Sequence, residues 1–250
     1  MKSINQYITE KLKIRKTSYK YFPETKKELK DLLKQLIKER GNEGNFNDID
    51  TSEITDMSEL FDGMEKFNGN ISNWNVSNVT DMHGIFYNCE SFNRDISNWN
   101  VSNVTDMRAM FYGGRNFNQP LNKWDVSNVT DMMWMFCRCE LFKQDISNWD
   151  VSNVENMEGM FYWCKSFNQP LNNWDVSNVT NMRGMFQECS SFNQDISNWD
   201  VSNVINMIWM FGMCKSFNQD ISKWNVSKVK YRANIFEDCP IEKKYKPKFS

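Results

Sequence analysis

Histidine occurs once in the 250 residues, at His83, and proline only five times. A single imidazole excludes paired-histidine metal and acid–base centres, and no nucleophile–base pair accompanies it, so no catalytic constellation is legible. No stretch approaches the roughly 20 apolar residues of a membrane-spanning helix. The opening segment MKSINQYITEKLKIRKTSYKYF interleaves Lys, Glu and Arg with its apolar residues and has no apolar run followed by a small-residue cleavage site. Secretion is therefore not expected; the chain should stay where it is made, cytoplasmic or virion-associated. With 25% charged and 40% hydrophobic residues, it is no disordered polar tail either.

What is abundant is aromatic: 10 Trp and 18 Phe, with 16 Met. Such bias points to internal repetition. Trp recurs at Trp74, Trp99, Trp124, Trp149, Trp174, Trp199 and Trp224, always 25 residues apart. Other columns keep the same step, among them Phe92 to Phe217, Val76 to Val226 and Met57 to Met207. A degenerate first copy begins near Phe46 and the last ends at Cys239. A unit this short cannot bury its own apolar face, whereas stacked copies build one continuous core. The expected fold is an α/β, leucine-rich-repeat-like solenoid of about eight 25-residue coils with an N-terminal helical cap. In each coil the spacing of Val79, Met82, Ile85 and Phe86 predicts a short helix with Ser77 as N-cap, and the alternation from Ile96 to Val101 predicts a short strand.

Units such as FNRDISNWNVSNVTDM and IFYNCESFN resemble the BspA-type leucine-rich-repeat surface proteins, whose 25-residue version occurs in mycoplasma lipoproteins, gut bacteria, protists and large viruses. The resemblance covers roughly residues 46 to 239 and implies a solenoid used for binding or adhesion, with no catalytic residues to carry over. A surface location follows from it alone. The lead-in YKYFPETKKELKDLLKQLIKERG, followed by NDIDTSEITDM, also resembles short repeat proteins of gut bacteria and their phages.

Three segments follow: a capping segment at 1–45 with a helix at 25–40, the solenoid at 46–239 and a tail at 240–250. Thr25 and Glu28 form a capping-box pattern, Leu29, Leu32, Leu33, Leu36 and Ile37 an apolar stripe, and Gly41 the stop. Ser3 and Gln6 suggest a further short helix carrying Ile4, Ile8 and Leu12, and Tyr19 to Phe22 a strand. Charge divides unevenly. Residues 45–222 hold 10 Lys and Arg against 23 Asp and Glu, while 223–250 hold 8 against 3. The acidic solenoid disfavours nucleic acid along its length; the basic ends are solvated surface, or touch a membrane or a neighbour's acidic face.

Six of seven cysteines share one column, where Gly114 and Met64 also stand, which reads as buried reduced thiols. His83 shares its column with Arg108, Met133, Glu158, Arg183 and Ile208 and reads as an exposed, variable position. Asp95, Asp145, Asp195 and Asp220 imitate a calcium ladder, but Pro120 and Pro170 interrupt it and no Gly-rich calcium motif is present.

Variation carries the functional signal. Trp134, Trp163 and Trp209 fall off the ladder in columns that elsewhere hold Gly, Ala, Asn or Arg, so they should face outward on the helical side, with Tyr87, Tyr112 and Tyr162 nearby. These six are the candidate protein-contact residues; alternatively they shield neighbouring coils or pack another copy. The expected function is a noncatalytic protein-interaction module. The alternative is a structural or assembly component of a phage particle or surface layer acting by self-association. No enzyme activity, cofactor or metal is expected.

Overall fold

A computed structural model describes residues 19–249; the helix expected around Ser3 to Leu12 lies outside them. Helix α1 runs from Lys26 to Arg40. Thr25 caps it, its hydroxyl oxygen accepting from the Glu28 N–H at 3.2 Å, and the Glu28 carboxylate reaches back to the Glu24 N–H at 2.8 Å. Gly41 stops it at φ 76°, donating its N–H to the Ile37 carbonyl. Leu29, Leu33 and Leu36 have no exposed surface and join the core of the repeats. Of the expected strand at Tyr19 to Phe22, only a single parallel bridge forms, Tyr21 to Ile49.

Behind α1 the chain is a repeat solenoid. Isolated parallel bridges link Asp56, Asp81, Asp106, Asp131, Asn156, Asn181, Asn206 and Tyr231 in succession, each one 25-residue step from the last. The α/β expectation is corrected in both parts. Among the described residues α1 is the one α-helix, a three-residue 3₁₀ turn spans Lys243–Tyr245, and no strand exceeds a bridge. The bridges also fall at the Asp column, not at Ile96 to Val101, where the chain turns instead, Trp99 N–H bonding Ile96 O and Val104 N–H bonding Val101 O.

The segment expected to be helical is a run of consecutive turns, and its hydrogen bonds explain why. Ile85, Tyr87 and Cys89 donate to the carbonyl three residues back, but Met82, Gly84, Phe86 and Asn88 donate across to the next coil, to Asp106, Arg108, Met110 and Tyr112. Turns closed every three residues place apolar side chains at three-residue spacing, so the pattern imitates a helix. Gly84 and Asn88 sit at φ 56° and 54°, which no α-helix accommodates. Ser77 caps nothing; its N–H and hydroxyl bond the Asn75 side chain.

These cross-coil bonds form four parallel rows, headed by the N–H groups of Met57, Glu59, Phe61 and Gly63, and each continues unbroken through seven steps. In all four every N–H points toward the C-terminal end. On another side of the coil Asn78, Asn103, Asn128, Asn153, Asn178 and Asn203 each donate their amide to a serine carbonyl of the preceding coil at 2.7 to 2.8 Å.

Inside, like side chains stack on like. The rings of the Phe61 to Phe236 column follow one another at 5.4 to 5.8 Å, those of the Phe67 to Phe217 column at 5.9 to 6.2 Å, and Trp74 and Trp99 at 6.5 Å. Spacing widens away from the hydrogen-bonded turns, so the array curves with that face on the inside. Each ladder indole N–H donates to a backbone carbonyl 28 residues earlier, from Trp74 to Phe46 through Trp224 to Ile196, at 2.9 to 3.2 Å. The buried tryptophans thus leave no orphaned donor. Cys89, Cys139, Cys164, Cys189 and Cys214 are fully buried and all seven cysteines are free; the Cys89 thiol is pushed up to about 12 by burial.

Candidate functional site

Two columns of the hydrogen-bonded face hold every described residue with left-handed backbone apart from Gly41. One is Glu59, Gly84, Ala109, Trp134, Gly159, Gly184, Trp209 and Asn234; the other is Gly63, Asn88, Gly113, Arg138, Trp163, Glu188, Met213 and Asp238. All three off-ladder tryptophans fall in these columns, at φ 57°, 63° and 59°. An L side chain there costs roughly 1 to 2 kcal/mol that glycine avoids. The tolerance seen in the sequence has this cause: the side chain leaves the coil, so its size is free, and only the backbone preference for Gly, Asn or Asp remains.

The outward placement is graded. Trp134 is 39% exposed, while Trp163 and Trp209 are half-buried against the coil surface. Trp134 lies across Gly159 of the next coil, where a Cβ would stand 2.4 Å from its Cδ1, and Trp209 lies across Gly212 of its own coil in the same way. Trp163 carries cations above its ring, Lys165 Nζ at 5.2 Å and the Arg138 guanidinium at 5.8 Å.

The six candidate residues divide into two clusters and one outlier. Tyr87 and Tyr112 stack at 4.6 Å, and Tyr112 meets Trp134 edge-on at 6.3 Å. Tyr162 meets Trp163 edge-on at 5.9 Å. No ring contact among the described residues ties Trp209 to either. Between the tyrosines the column holds Cys137, buried and with its thiol pushed up to about 12 by burial. The sequence shows Cys137 as the one cysteine off the column, without the spacing of a zinc or redox site, and the glycines and Arg138 as signs of a tolerant column; it gives no sign of the cations over Trp163 or of the glycines as seats for the indoles.

Two hollows flank Trp134. One, of about 230 Å³, is lined by Glu59, Asp62, His83, Gly84, Tyr87, Arg108, Ala109, Met133 and Trp134. The other, of about 240 Å³, is lined by Trp134, Glu158, Gly159, Tyr162, Arg183, Gly184 and Gln187. Both combine an aromatic wall, a glycine floor and paired charges, including Arg183 with Glu158 at 3.3 Å.

The charged groups beside the hollows are engaged with one another. His83 Nδ1 is 3.0 Å from Asp81 and its Nε2 3.5 Å from Glu59, so it is half-buried between carboxylates, not simply exposed. Arg108 grips Asp106 through Nε and Nη2 at 2.6 to 3.0 Å. Asp81, His83 and Asp106 each bring one ligand atom within 4.8 Å of the others, yet Asp106 is held by that guanidinium. Asp131, further along the column, is pushed above the usual carboxylate range, chiefly by burial and also by neighbouring Asp106. The Asp95, Asp145, Asp195 and Asp220 side chains accept the N–H two residues on, which accounts for that column without calcium.

No helix among the described residues is long and apolar enough to cross a membrane. No curated protein matches the chain. A family model described as "Mycoplasma protein of unknown function, DUF285" matches it twice, over residues 28–147 and again over 130–247, so that nearly the whole repeat array is covered. The chain therefore belongs to this repeat-containing family of mycoplasma type.

Proposed function

We propose that this protein is a noncatalytic protein-interaction module of BspA-like, leucine-rich-repeat-related type, built from about eight 25-residue coils, and that it binds through the hydrogen-bonded inner face. One observation carries the reading. Three large aromatic side chains stand at backbone sites that disfavour them, on one face, and Trp134 among them borders two hollows that glycine helps to line. Large side chains kept at strained backbone on the surface support a contact role. Aromatic residues on a rigid surface are also favoured anchors for a protein partner. The ionisable side chains around the hollows are paired with one another, which supports recognition over acid–base chemistry.

Affinity capture from the native host or from infected cells, with the unchanged chain beside a Trp134→Ala, Trp163→Ala, Trp209→Ala variant, tests the proposal. The variant should fold and lose the captured partner. Capture undiminished by the three substitutions would place the interface elsewhere. Light scattering on the unchanged chain separates the assembly reading, since an obligate, concentration-independent oligomer would favour a structural component acting by self-association.

A further inference from the structure

The four hydrogen-bonded rows are polar, and their two ends differ. At the N-terminal end the rows begin on the coil of Asp56, Ser58, Leu60 and Asp62, where carbonyl groups face outward. Helix α1 closes that end and brings cations to it. Lys26 Nζ reaches the Asp56 carboxylate at 3.2 Å and the Ser58 hydroxyl, and Lys30 Nζ reaches the Glu59 carbonyl at 2.9 Å. Positive charge at the carbonyl end of aligned peptide dipoles follows the rule that holds at a helix C-terminus.

At the C-terminal end the N–H groups of Met207, Trp209, Phe211 and Met213 find the carbonyls of Tyr231, Ala233, Ile235 and Glu237. One step on, the N–H groups of Asn234, Phe236 and Asp238 have no acceptor among the described residues. Asn234 and Asp238 repeat the left-handed backbone, at φ 57° and 52°, so the N–H groups keep the alternating geometry that makes a concave donor row. Tyr231, at 57% exposed, is the most exposed large hydrophobic side chain among those described and stands at this edge. The segment is also basic, with 8 Lys and Arg against 3 acids over residues 223–250, and Asp238 is paired with Lys215 at 3.6 Å. Among the described residues no helix like α1 covers it; the tail crosses part of it, with Lys246 Nζ 5.1 Å over the Phe236 ring and Phe249 5.5 Å from the Arg232 guanidinium.

We propose that this edge is a second interaction surface, separate from the tryptophan face, and that its occupant is an acidic amphipathic helix of a partner protein. The carboxylates of such a helix would accept from the N–H row, its acidic face would meet Lys230 and its neighbours, and its apolar stripe would cover Tyr231. A protein segment fits better than a nucleic-acid strand. The adjoining solenoid has 13 more acids than bases over residues 45–222 and repels a long polyanion, whereas a helix spans only the basic end.

The test uses the full chain, ¹⁵N-labelled, and a probe peptide with the 15-residue α1 sequence in which every Lys and Arg is Glu. Titration should shift the amide signals of Asn234, Phe236 and Asp238 and slow their hydrogen exchange by about tenfold or more. The Lys230→Glu and Tyr231→Ala variants should each bind the peptide about tenfold more weakly. Amide spectra of the variants outside this edge should match those of the parent, so that weaker binding is not misfolding. The unaltered α1 peptide should leave the signals in place. Absence of shifts at millimolar probe, shifts centred on Trp134 instead, or stronger binding by a single-stranded oligonucleotide than by the peptide would each overturn the proposal.

Discussion

Trp134 rests on Gly159: a methyl group built on the glycine would stand 2.4 Å from the indole Cδ1, and Gly159 itself has φ 57°. The two residues occupy the same column one coil apart, so the repeat that leaves one site empty of side chain makes room for the largest side chain at the other.

Gly159→Ala should therefore do two things. Left-handed strain and the contact with Trp134 should together lower stability by roughly 1 to 3 kcal/mol, and the indole should swing into solvent. Gly184→Ala shares the backbone strain but meets only Gln187 Oε1 at 3.4 Å, so it should cost less. Denaturant unfolding with tryptophan fluorescence would compare them, and equal losses with no change in Trp134 would remove the packing claim.

Trp149 is 3% exposed and donates to the Leu121 carbonyl at 3.0 Å. Trp149→Ala should cost about 3 to 5 kcal/mol, combining a large cavity with an abandoned acceptor. Urea unfolding measures it; a loss below 1 kcal/mol would mean that the ladder is not the main support of the core.

Asp131 continues a stack of acids from Asp56 that gives way to Asn156, Asn181 and Asn206. Its raised pKa means that folding disfavours its ionised form, so the penalty is fully present above the folded pKa. The penalty fades as pH falls through that value toward the ordinary carboxylate pKa. Asp131→Asn should stabilise by a few tenths to about 1 kcal/mol at neutral pH, with the advantage vanishing in acid. Thermal unfolding across pH 3 to 7 checks the sign, and an advantage that grows on acidification would reverse the assignment.

Leu33 seals the first coil with no exposed surface. Leu33→Ala should cost about 2 to 5 kcal/mol, and removing residues 1–41 should expose the coil and cause aggregation, whereas deleting one internal 25-residue unit should be tolerated. Gel filtration distinguishes the outcomes; a monomeric, equally stable truncated chain would show that α1 is dispensable.

The periodicity made the stacked core legible. Every Trp, Phe and Val column named from the sequence lies inside, because a 25-residue period admits only in-register stacking of like on like. The helix at Lys26–Arg40 was legible for local reasons, its cap, its stripe and its terminal glycine. What failed was the conformation inside each coil. Met82, Ile85 and Phe86 have helix-like spacing because turns closed every three residues produce it too, and hydrophobic pattern alone does not separate the two. The signal that did was the alternation of Gly84, Gly159 and Gly184 with Trp134 and Trp209 in one column. Glycine recurring at a fixed register marks positive φ, a backbone demand that a propensity-based reading takes as mere tolerance. The division of the six aromatic residues into clusters was not legible, since it depends on how far each side chain leans across its neighbour.

The central claim is that Trp134, Trp163 and Trp209 are held on the inner face for contact and against the preference of the backbone. A Trp134→Gly, Trp163→Gly, Trp209→Gly variant tests it most directly through its unfolding free energy in denaturant. Relief of left-handed strain, roughly 1 to 2 kcal/mol at each site, should offset the lost surface packing, leaving the variant as stable as the parent or more so. A loss of about 3 kcal/mol or more, comparable to truncating a ladder tryptophan, would contradict the account and make the three residues part of what holds the coils together.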